Sequence, residues 1–116
     1  MVSGPPEAAQ NVTAIAVAAE KAKISWIVGL SGGSILSFRV LYSSVGASGN
    51  EFVDSNHENP AYNSEQDMII SGLKETTEYE IFVRSRNNYQ GGSETDSTTI
   101  NITTRGTVVL DYFLFS

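Results

Sequence analysis

The chain contains no cysteine, a single histidine, three prolines and few basic side chains. Each shortage excludes something. Without cysteine there is no disulfide framework, thiol nucleophile or thiolate metal site. His57 alone cannot build a histidine-rich metal centre. Seven lysines and arginines stand against thirteen acidic residues, a net charge of −6. That balance favours solubility and argues against nucleic acid as a partner. No stretch approaches the roughly 18 apolar residues of a membrane-spanning helix. Attachment to a membrane is therefore expected only through a longer parent chain. Residues 1–10 carry neither a basic leader nor an apolar core, so no secretory signal is expected there. At 116 residues the chain fits one domain. That size buries roughly two-thirds of the unfolded surface and needs no covalent staple.

What is present is period-two alternation. The alanine-rich stretch 8–23 is the only helical candidate, but Val12, Thr13, Ile15 and Val17 are β-branched and fit a strand. Ala22, Ile24 and Trp26 alternate with Lys23, Ser25 and Ile27, and Phe38, Val40 and Tyr42 with Arg39, Leu41 and Ser43. The same pattern recurs at Met68 and Ile70, at Tyr79, Ile81 and Val83, and at Ile100 and Ile102. A short strand is expected at 50–54. Glycine- and asparagine-rich turns separate these runs at 29–33, 46–49 and 87–94, with a long polar stretch at 54–66. Seven short strands without a helix indicate an all-β, antiparallel β-sandwich.

The order of motifs resembles a fibronectin type III domain. Pro5-Pro6 and Val12 resemble its opening, Ile24-Ser25-Trp26 its strand B, and Phe38-Arg39-Val40-Leu41-Tyr42 its strand C. Ile70-Ser71-Gly72-Leu73 followed by Thr77-Glu78-Tyr79-Glu80-Ile81-Phe82-Val83 resembles its E–F corner and strand F. The resemblance implies a seven-stranded immunoglobulin-like sandwich over 6–104, with a linker at 1–5 and an apolar tail at 105–116. An immunoglobulin domain would place its tryptophan on strand C against a disulfide, and neither feature is present. The expected structural core is Trp26, Tyr42, Leu73, Tyr79, Ile81 and Val83. Tyr79 is expected to form a tyrosine corner, its hydroxyl bonded to backbone just upstream.

The search for chemistry finds no catalytic, metal or cofactor site and no small-molecule substrate pocket. His57 has Asp54, Ser55 and Glu58 near it in sequence, but the stretch is polar and glycine-free and reads as a surface loop with a solvated histidine. Asp54, Asn56, Glu58 and Asn59 lack the spacing of a calcium loop. The glycines at 29–33 are not followed by the Lys-Ser/Thr of a phosphate loop. Two sequons, Asn11-Val12-Thr13 and Asn101-Ile102-Thr103, mark candidate N-glycosylation sites with both asparagines facing outward.

The resemblance implies a non-catalytic extracellular or cell-surface module of a larger receptor or adhesion protein. Such a module acts as a spacer and as a surface for a protein partner. A cytoskeletal scaffold repeat and an accessory module of a carbohydrate-active enzyme are the alternatives. Two surfaces qualify for a partner. One is the loop end, where Tyr89 is the single aromatic; no Arg-Gly-Asp occurs in this loop or elsewhere. The other is an outward face on which Leu41 and Phe82 lie among Arg39, Arg84 and Arg86. The tail, rich in apolar residues from Val108 to Phe115, is expected to be an excised boundary or an unusual terminus.

Overall fold

Alternation of apolar and polar side chains becomes two pleated sheets, as the period of two requires. The computed structural model describes residues 3–56 and 59–106. The strands are β1 (Gln10–Ala18), β2 (Lys21–Ile27), β3 (Ser37–Ser44), β4 (Glu51–Asp54), β5 (Glu65–Ile70), β6 (Glu78–Asn87), β7 (Ser93–Asp96) and β8 (Ile100–Thr103). A three-stranded sheet has the order β1-β2-β5. A five-stranded sheet has the order β4-β3-β6, with β7 and β8 both pairing β6. Every pairing is antiparallel. The alanine-rich stretch is strand rather than helix, broken by a turn at Ala19-Glu20.

Among the described residues there are eight strands rather than seven, because the last strand is divided. Ser97 interrupts it. Its amide donates to Val83 O at 2.9 Å, and its hydroxyl accepts from Val83 N at 2.9 Å. The Ser97 side chain thus replaces a backbone acceptor, and the ladder restarts at Ile100. The first half, Ser-Glu-Thr-Asp, has no apolar alternation, so it reads as part of a turn from sequence alone.

The core lies between the sheets. Trp26 is 1% exposed and meets Phe38 with ring centroids 5.4 Å apart. Ile24, Val40, Ile81 and Val83 are fully buried beside them. Burying a side chain of this size contributes about 1.5–3 kcal/mol, so this inward row dominates the sandwich's stability. Tyr42, Leu73 and Tyr79 close the core at one end, and the Tyr42 and Tyr79 rings meet edge-on at 6.4 Å. Burial, with Glu51 nearby, pushes the Tyr42 phenol above its ordinary pKa.

Candidate interaction surface

Alternation along β3 and β6 turns Arg39, Leu41, Phe82, Arg84 and Arg86 away from the core. Antiparallel register then aligns them in rows. One row runs Asp54, Arg39, Arg84, Asp96 across β4, β3, β6 and β7. The next runs Phe52, Leu41, Phe82. Arg39 Nε donates to Asp54 Oδ1 at 2.6 Å and its Nη2 to Oδ2 at 3.2 Å. Arg84 grips Asp96 in the same two-pronged way, at 2.8 and 3.3 Å. Arg86 Nε lies 3.2 Å from Glu94. The hydrogen bond from Arg39 holds the Asp54 carboxyl below the usual carboxylate range, aided by the charges of Arg39 and Arg86.

The two rows also touch each other. The Arg39 guanidinium sits 3.8 Å above the Phe52 ring, and that of Arg84 lies 5.6 Å from the Phe82 ring. Each of these arginines is thus fixed by a carboxylate and faces a neighbouring ring. Leu41 lies in an outward row yet is only 6% exposed, because Phe52 and Phe82 flank it. This corrects the expectation that Leu41 itself meets solvent. Phe82 is half-buried, while Phe52, which sequence reasoning passed over, is 53% exposed. Its partner Leu41 is set by the register of β3 with β4, which the local sequence does not announce.

The other candidate positions fall elsewhere. Asn101 is exposed, lies opposite Glu80, and donates from Nδ2 to Glu78 Oε2 at 3.0 Å. Asn11 is exposed in an irregular stretch of β1, with φ of 52°. Tyr89 is half-buried in a short 3-10 turn (Tyr89–Gly91) rather than a free aromatic. His57, Glu58 and the tail residues from Thr107 onward lie outside the described residues. Among the described residues no cluster of three or more metal-ligating side chains occurs, and no helix is long and apolar enough to cross a membrane.

Tyr79 Oη accepts from Lys74 N at 2.8 Å, the geometry of a tyrosine corner. Thr104 completes this end. It accepts from Thr77 N at 2.9 Å and donates to Lys74 O at 2.6 Å.

The geometry agrees with the comparisons. The family profile described as fibronectin type III domain matches residues 4–101. A solved chain described as a myokine structure superposes with a TM-score of 0.66 at 25% identity, over 87% of this chain and 99% of that one. The FN5 domain of Drosophila Lar superposes at 0.62 and 21% identity, over 88% and 99%. The FN1–FN3 domains of chicken CNTN1 superpose at 0.68 and 23% identity, over 88% of this chain and 33% of that longer one. No curated protein matches the sequence. The chain belongs to the fibronectin type III family.

Proposed function

We propose that the chain is a non-catalytic extracellular module of a larger receptor or adhesion protein, a spacer that also binds a protein partner through the outer face of its five-stranded sheet. One observation carries the binding surface: Phe52 stands 53% exposed beneath a guanidinium that Asp54 holds in place. Ordering side chains before contact lowers the entropy cost of association. Arginine and aromatic residues are also the usual anchors of protein interfaces. The two exposed sequons support the extracellular setting. A glycan on Asn101 would attach at the Nδ2 that bonds Glu78 and would lie on this same face, so glycan and partner compete for it.

The test is a screen of the purified domain against extracellular ectodomains, followed by three substitutions. Phe52→Glu and Phe82→Glu should each weaken the binding found by about tenfold or more. Ile69→Glu, on the opposite sheet, should leave it unchanged. Equal affinity in all three rejects the face. A signal sequence and membrane span in the parent reading frame would support the setting, and a cytosolic repeat array would overturn it.

A further inference from the structure

Asn87 ends β6 and is 5% exposed. Its carboxamide is nearly saturated. Nδ2 donates to Gly4 O at 2.9 Å and to Ser31 O at 2.7 Å, while Oδ1 accepts from Tyr89 N at 3.0 Å. The amide orientation follows from its neighbours, since only the nitrogen can face two carbonyl oxygens. Three segments thereby meet on one planar group: the N-terminal segment, the β2–β3 loop and the β6–β7 turn.

The N-terminal segment is bound along its length. Gly4 N donates to Gly32 O and Glu7 N to Leu30 O, both at 2.9 Å, and Leu30 N returns a bond to Glu7 Oε1 at 2.8 Å. Pro6 is buried. The approach is close enough to require glycine. A Cβ on Gly32, whose φ is +79°, would lie 2.3 Å from Gly4 O. A Cβ on Gly29 would lie 2.8 Å from Glu7 Cβ. Residues 4–7 therefore behave as a strap on the loop end, not as a free leader.

We propose that Asn87 joins this strap and the β6–β7 turn into one conformational unit, so that loosening either loosens both. The reason is mechanical. A carboxamide is rigid, and a single side-chain torsion orients its oxygen and nitrogen together. Rotation that frees Tyr89 N also pulls Nδ2 from Gly4 O and Ser31 O. Linkage makes the effect reciprocal. The turn also walls an open groove of about 770 Å³ that reaches Ile35, Ser37 and Gly92. A molecule that shifts that wall would shift the strap, and with it the direction of any chain preceding Gly4.

Amide hydrogen exchange on the full chain tests this from both sides, with Thr104 at the far end as reference. Gly29→Ala displaces the strap at Glu7 and touches neither Asn87 nor the turn. It should raise exchange at Tyr89 as well as Gly4, by roughly two- to tenfold relative to Thr104, the range expected for one hydrogen bond. Ser93→Ala removes the hydroxyl that donates to Tyr89 O at 3.1 Å and leaves the strap alone. It should raise exchange at Gly4 together with Tyr89. The proposal is overturned if either variant moves only its own segment, or if all ratios to Thr104 stay constant. Should Gly29→Ala fail to fold, the Ser93→Ala arm decides alone.

Discussion

The two ends of β6 are tied down by different chemistry over different distances. At one end the Tyr79 ring is buried and its hydroxyl reaches Lys74 N, only five residues upstream. At the other, the Asn87 carboxamide reaches partners 83 and 56 residues away. The first tie combines apolar burial with a local bond, so the corner forms wherever the chain turns into β6. The second has no ring to bury, and two of its three bonds exist only once the N-terminal segment and the β2–β3 loop have assembled around it. One end therefore contributes mainly to stability, and the other mainly to how the loops and the entering chain are held.

Substitutions at each end should separate these roles. Thr104→Val keeps the shape but strands Thr77 N and Lys74 O in a partly buried corner. Two lost partners should cost about 2–4 kcal/mol in a urea titration. Tyr79→Phe keeps the ring and strands only Lys74 N, so a loss of about 1–3 kcal/mol is expected. The group left unpaired is the Lys74 donor, since the hydroxyl accepts in this corner. Stability unchanged by both substitutions would show that the corner is not a structural tie. Asn87→Ala should cost less globally, about 1 kcal/mol, because its partners can reach water as the loops loosen. A loss exceeding that of Thr104→Val would reverse the ranking of the two ends.

The same distances explain what was legible in the sequence. Alternation is a local property, so Trp26, Phe38 and Tyr79 identify themselves, and Gly72-Leu73 marks the corner before Tyr79. The Ser93–Asp96 strand was hidden because its pattern is polar and its order derives from pairing with β6. Phe52 was missed for a related reason. Its significance depends on β4 lying beside β3 in a register that sets it against Leu41 and under Arg39. The partners of Asn87 were equally out of reach, since nothing near residue 87 announces Gly4 or Ser31. Position on a strand is written locally, whereas contacts between strands distant in sequence are set by assembly.

The ion-paired ladder crosses β4, β3, β6 and β7, and pH distinguishes it from the corner. At the corner, Thr104 Oγ1 meets backbone groups of Thr77 and Lys74, which do not titrate. Asp54 differs. Its folded-state pKa lies below its unfolded value, chiefly through the hydrogen bond from Arg39. The ionised form therefore favours the folded state. Its contribution is complete above the ordinary aspartate value and is lost as pH falls through the lowered folded-state pKa. Asp54→Asn should thus reduce stability at neutral pH, and the gap from the unsubstituted chain should close in acid. The effect should be the smallest of the series, because the Asp54 side chain is 52% exposed and salt screens such pairs. Urea midpoints from about pH 7 to about pH 3 measure it. The Thr104→Val increment should stay constant over that range while the Asp54→Asn increment shrinks. If both increments shrink together, the corner also depends on a titrating group, and the contrast between an uncharged corner and the charged ladder fails.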